Sequence, residues 1–133
     1  MLAVMRVHNF RLVPGDWSVV RLGPDEPVPD WALQPSSFFA ITRTSEELSI
    51  VRETRFVPKS TRHQSGWTLL KVLGPFAFSE VGVLASLIGP LAAKGVPVFA
   101  LSTFDTDYLL VPADRRDDAI AALISLGHHQ SPP

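Results

Sequence analysis

The chain has 133 residues, of which 46% are hydrophobic and 19% charged, and its 12 Lys and Arg against 13 Asp and Glu leave a formal net charge of -1. That length corresponds to one compact domain or two very small ones, and the composition is that of a chain able to bury a core. A balanced charge supplies no field for phosphate backbones or anionic lipid, so neither nucleic acid nor membrane is an expected partner; the lack of any cysteine excludes disulfides, thiolate metal sites and cysteine nucleophiles.

Residues 1–7 are too short an apolar run for a signal sequence, and the apolar stretch over 81–93 is broken by Ser86, Gly89 and Pro90 and is too short to span a bilayer. A cytoplasmic location is the expectation. Residues 10–13 and 17–22 read as strands. Pro24, Pro27, Pro29 and Pro35 then break the chain, since each removes a backbone donor, and leave room for one helical turn over 29–33. Residues 37–43 and 48–52 form an expected hairpin around Thr44, Ser45, Glu46 and Glu47. The polar run over 58–66 is the expected linker. It separates an N-terminal half, 1–62, shortened and proline-rich, from a C-terminal half, 63–128, with a frayed tail over 129–133.

The C-terminal half has a more regular pattern. Residues 67–73, 98–103 and 108–111 are expected strands, the last two joined by Asp105, Thr106 and Asp107. Leu84, Leu87, Ile88 and Leu91 recur at i, i+3, i+4 and i+7, which predicts a helix with one buried stripe, N-capped by Ser79 and ended at Gly95. Asp114 is placed to cap a last helix that buries Ala119, Ile120, Leu123, Ile124 and Leu126 before Gly127 closes it. The order strand, helix, strand, strand, helix predicts an α+β, ferredoxin-like arrangement, with antiparallel strands covered by helices on one face and open on the other.

The segment GPFAFSEVGVLASLIGPLAAKGVPVFALSTFDTDYLLV, with FFAITRTSEELSIV in the first half, resembles the tandem-ACT proteins related to the CASTOR arginine sensors and to the ACT halves of aspartate kinases. The resemblance implies two tandem βαββαβ-type halves that hold a free amino acid and report it to a protein partner without chemistry. Carried onto this chain, it implies a ligand site formed by Ser49 and Ile50 of the first half with Glu80, Val81, Gly82, Val83, Thr103, Phe104 and Asp107 of the second. It leaves the identity of the amino acid open, because the location of a pocket does not set its side-chain specificity.

The residues themselves carry part of this reading. A zwitterion needs N–H donors for its carboxylate and acceptors for its ammonium; a helix N-terminus supplies the donors, and Gly82 allows close approach. Glu80 serves either the helix macrodipole or a ligand cation. Asp105 is explained by local turn bonding, and Asp107 is divided between that role and a pocket-facing one. His8, His63, His128 and His129 have no metal-ligand spacing, and His128 and His129 are expected in a solvated tail. Trp17, Trp31 and Trp67 read as core or interface anchors, and Arg115 and Arg116 with Asp117 and Asp118 as a solvated, charge-balanced helix face. With no phosphate loop, metal cluster or nucleophile-base pair, the expectation is a non-enzymatic sensor without cofactor, acting as a homodimer. The alternative is a scaffold that binds a protein through its open sheet face.

Overall fold

The computed structural model describes residues 7–76 and 81–133. The chain forms two compact units, one made of Gly15–Trp67 and the other of Met1–Pro14 with Thr68–Pro133.

In the unit Gly15–Trp67, β1 (Asn9–Leu22) contributes its second part and pairs antiparallel with β3 (Leu48–Glu53), Trp17 opposite Glu53 through Leu22 opposite Leu48. β3 pairs in turn with β2 (Ala40–Arg43), so the strand order is β2-β3-β1. Thr44 closes the expected hairpin. Its hydroxyl accepts the N–H groups of Glu46 and Glu47, each at 3.1 Å, and its N–H donates to the Glu47 carbonyl at 2.9 Å. Val20, Ala32, Leu48, Ile50 and Val57 form the core, with Ala32 delivered by a single 3-10 turn, Asp30–Ala32, where the prolines leave room for it. The Arg43 guanidinium fastens the proline-rich segment by donating to the carbonyls of Pro24 and, at 2.8 Å, Glu26.

A buried cation organises one side of this unit. Arg52 is 0% exposed; it donates to the Gln34 carbonyl and to Ser36 Oγ, and its guanidinium lies 4.0 Å from the centroid of Phe56 and 5.1 Å from that of Phe39. Burial lowers its pKa, against the neighbouring Glu53 carboxylate, which favours the charged form. Burial also pushes the Glu53 carboxyl up, but hydrogen bonds from Arg55, at 2.9 Å, and Ser36, with the charges of Arg55 and Arg52, hold it below the usual range.

In the other unit the first part of β1, β4 (His63–Val72), β5 (Phe99–Ser102), β6 (Asp107–Pro112) and β7 (His129–Gln130) lie in the order β7-β1-β4-β6-β5. β5 and β6 are antiparallel and β7 runs parallel to β1. Phe10, Leu70, Val72, Leu109 and Val111 line one face and bury Val83, Leu87 and Leu91 of α1 (Val83–Ala93) with Ala119, Ala122 and Leu123 of α2 (Arg116–Ser125). The stripe read from the sequence packs in part: Leu87 and Leu91 are buried, Leu84 and Ile88 are partly buried and Val83 joins them, while Ile124 and Leu126 of the last helix, expected inward, are exposed because they turn away from the sheet. Among the described residues no helix is long and apolar enough to cross a membrane.

Several expectations are corrected. Leu69 and Leu110 alternate to the face away from the helices and are each 0% exposed, so that face is not open there. Residues 10–13 and 17–22 are one strand, and His63–Gly66, expected as linker, begin β4. His128 is buried, not in a solvated tail, and Gln130 and Ser131 are not frayed, since Gln130 pairs with Phe10 and the Ser131 N–H donates to the Phe10 carbonyl at 2.7 Å. The N-cap position of α1 is Gly82, and Ser79 lies outside the described residues. Asp114 falls within a 3-10 turn, Ala113–Arg115, ahead of α2. Arg115 is more than a solvated charge, for it donates to the carbonyls of Lys94 at 3.0 Å and Gly95 at 3.3 Å, at the C-terminus of α1.

Replacing Arg52 with Ala should destabilise the protein by about 2–4 kcal/mol in urea unfolding, and Arg52→Lys should recover less than half of that, because an ammonium lacks the planar fork that stacks and donates together; a neutral Arg52→Ala would refute the role. The lowered Glu53 carboxyl contributes stability that is present above the unfolded value of about 4.3 and is lost as pH falls through the lower folded value. The melting temperature of Glu53→Gln should therefore lie below that of the unmodified protein at neutral pH and converge with it in acid.

Candidate functional site

The β5–β6 connection is closed by hydroxyl groups. The Thr103 N–H donates to the Thr106 carbonyl at 2.8 Å, the Thr103 hydroxyl donates to the same carbonyl at 3.1 Å, and the Thr106 N–H approaches Thr103 Oγ1 at 3.3 Å. Thr103 thus takes the local turn role that sequence assigned to Asp105. Thr106 is buried, and its hydroxyl donates to the Val72 carbonyl at the end of β4. The Phe76 N–H donates to the Asp105 carbonyl at 2.8 Å. A Cβ built on Gly74 would stand 2.7 Å from that same carbonyl oxygen and 3.1 Å from the Phe76 nitrogen. Only a residue without a side chain lets the 74–76 segment lie this close to the 103–107 loop.

Opposite this loop stands the start of α1. Gly82 occupies the N-cap position at φ 81, a left-handed conformation that glycine adopts freely, and among the described residues no side chain caps the helix there. A Cβ on Gly82 would meet nothing within 4 Å, so its glycine answers to the backbone angle and not to a close neighbour. The first-turn N–H groups of a helix have no intrahelical acceptor and carry a partial positive charge.

Between the two lies a cavity of about 400 Å³ lined by Phe76, Gly82–Ala85 and Ser102–Asp107. One wall presents backbone donors and the other presents hydroxyls and carboxylates. Asp107 Oδ1 accepts the Ser102 hydroxyl at 2.6 Å, which orients that carboxylate, while the Asp105 side chain is exposed at the rim. Phe76, Val83, Leu84 and Phe104 supply apolar surface.

Five residues of the sequence-derived site, Gly82, Val83, Thr103, Phe104 and Asp107, are brought together here. Val81 adjoins them and is 87% exposed, as Phe104 is 77% exposed at the rim. Glu80 lies outside the described residues. Ser49 and Ile50 belong to β3 in the other unit, where the Ile50 side chain is wholly buried in the core and both residues pair with β1 and β2. Phe76, Leu84, Ala85, Ser102, Asp105 and Thr106 were missed as lining residues; the Gly74–Pro75 turn signal marked the neighbourhood of Phe76, but no local pattern reports which loop it meets. Among the described residues no group of His, Asp and Glu is placed to hold a metal ion.

Comparison with known proteins agrees with this architecture. The family model described as ACT domain matches residues 62–125, and a second model, of an N-terminal domain, matches residues 15–60. The protein named cytosolic arginine sensor for mTORC1 subunit 1 from Homo sapiens is 34% identical over 100 residues, which are 68% of this chain and 30% of that protein, so the chain spans under a third of its length. The crystal structure of an Agrobacterium tumefaciens protein superimposes with a TM-score of 0.91 at 36% identity, covering 97% of this chain and 96% of that one. The regulatory subunit of aspartate kinase from Thermus thermophilus shares the fold, with a TM-score of 0.66 at 13% identity over 92% of this chain and 99% of that one. With residues 62–125 matched as an ACT domain and a relative 34% identical over 68% of this chain, the chain belongs to the ACT-domain family.

Proposed function

We propose that the protein is a non-catalytic regulatory module that binds a free amino acid in the cavity between the start of α1 and the β5–β6 loop. The observation that carries this reading is the pairing of a helix N-terminus whose cap residue is a glycine with a carboxylate-bearing loop across a volume of about 400 Å³. The N–H groups of Val83, Leu84 and Ala85 suit an α-carboxylate. Asp107, held by Ser102, and the exposed Asp105 suit an ammonium, and Phe76 and Phe104 offer apolar surface to a side chain. The relatives named as arginine sensors support an amino acid as the ligand class.

In this proposal Glu80 and Val81 take part in binding the ligand, and Ser49 and Ile50 belong to a second ACT-like half over residues 1–62 that takes part in reporting the ligand. The protein works in the cytoplasm as a homodimer and passes the signal to a protein partner. The scaffold reading draws less support, because the sheet face it relies on is buried at Leu69 and Leu110.

A thermal-shift screen of the twenty amino acids should find at least one that raises the melting temperature, by the equivalent of about 2.7 kcal/mol at a hundredfold excess over its Kd. A folded, ligand-free protein that responds to none would end the proposal. Gly74→Ala forces the 74–76 segment off the Asp105 carbonyl; it should destabilise the protein by about 1–3 kcal/mol and weaken the responding amino acid at least tenfold in calorimetry. Unchanged affinity in that variant would show that the 103–107 loop is not part of the site.

A further inference from the structure

Pro90 lies inside α1 and has no backbone N–H, so the carbonyl four residues earlier, that of Ser86, lacks its usual intrahelical donor. A side chain from the far end of the chain stands in for it. His128 Nε2 is 2.9 Å from the Ser86 carbonyl oxygen, and His128 Nδ1 accepts the backbone N–H of His8 at 3.0 Å. A carbonyl only accepts and an amide N–H only donates, so the two contacts together require one form of the ring: neutral, with its hydrogen on Nε2. The residue is 1% exposed, its own N–H donates to the Leu123 carbonyl at 3.2 Å, and the neighbouring His129 N–H donates to the His8 carbonyl at 3.0 Å.

We infer that His128 is a proton-sensitive latch, joining α1 to the strands β1 and β7 in its neutral form and releasing them when protonated. A second ring N–H would point at the His8 amide across 3.0 Å, and two donors cannot share that contact. Among the described residues the surroundings offer the imidazolium no compensating acid. The His8 ring stacks on it, with centroids 5.8 Å apart and planes 14° from parallel, and supplies no negative charge. α1 carries no charged residue; the acids of α2, Asp117 and Asp118, stand in its first turn, at the opposite end from Leu123; Arg11 on β1 and His129 on β7 add only positive or titratable groups.

The sign of the effect follows from proton counting. Protonation at Nδ1 and the bond from the His8 N–H exclude each other, so acid that protonates His128 favours the released state and stability falls as pH falls. Ser86 directly follows the Gly82–Ala85 wall of the cavity. Acid release of the latch therefore loosens that wall and opposes ligand binding, a consequence that rests on the amino-acid reading above, as the latch itself does not.

The test needs no ligand, so its failure is separate from failure of that reading. Long-range 15N–1H correlation spectra of the full chain at pH 7.5 should show His128 protonated at Nε2 and bare at Nδ1; the opposite tautomer, or an imidazolium, would overturn the latch. Between pH 7.5 and 5.5 the melting temperature of the unmodified protein should fall about 3–6 °C more than that of His128→Gln, and equal falls would refute it. Pro90→Ala returns an N–H to the helix, so His128→Gln should cost less in that background than in the native one. Additive costs in this double-mutant cycle would also refute it, and if His128→Gln does not fold, the tautomer at His128 decides.

Discussion

Thr106 lies in a turn between two short strands, where a solvated side chain is the ordinary outcome, and yet it is buried. Its hydroxyl is satisfied by the Val72 carbonyl, and the adjacent Asp105 carbonyl accepts the Phe76 N–H at 2.8 Å. These two bonds join the end of β4 to the β5–β6 loop. A buried hydroxyl without a partner is costly, so loop and strand end hold each other in place. Gly74 makes the approach sterically feasible. The cavity depends on this junction, because one of its walls is the loop that the junction anchors and Phe76 is delivered by the segment that it holds.

The other wall, α1, is a helix whose own sequence does not position it well. Among the described residues no side chain caps its start, and Pro90 interrupts its bonding ladder. Its packing stripe of Val83, Leu87 and Leu91 seats it on the sheet, but its polar accounts are settled by groups far along the chain. His128 reaches the Ser86 carbonyl, and Arg115 reaches the carbonyls of Lys94 and Gly95 at the other end. A helix start left without a capping side chain remains available to an external anion. The unit Gly15–Trp67 follows a related logic, with Arg52 serving the Gln34 carbonyl and Ser36 from a buried position between Phe39 and Phe56.

Fold and specificity separate clearly in this family. The Thermus thermophilus regulatory subunit keeps the fold at 13% identity, which is what alternating strand faces and amphipathic helices permit, since many apolar side chains of similar volume satisfy the same pattern. In the proposed reading, the residues that would choose one amino acid from another are few: Phe76, Phe104 and Asp105 in loops, and Asp107 at the start of β6. Loop residues change without disturbing the sheet, so the shared fold leaves the ligand undetermined.

What the sequence determined by itself were the features whose cause lies within a few residues. Alternation placed the strands of both units, the i, i+3 and i+4 recurrence of Leu84, Leu87, Ile88 and Leu91 located α1, and the hydroxyl and acidic residues around Thr44 marked a hairpin. Gly82, Val83, Thr103, Phe104 and Asp107 were placed in one site only because a family resemblance linked two segments that no local pattern connects. Tertiary structure alone decided the rest. His128 is bonded to His8, 120 positions away; Leu69 and Leu110 are covered on the face expected to be open; and Asp105 faces the cavity rim because Thr103, not Asp105, closes its turn. Each of these turns on which donor finds which acceptor, or which surface is covered, once the chain has folded back on itself, and neighbours in sequence carry no record of that choice.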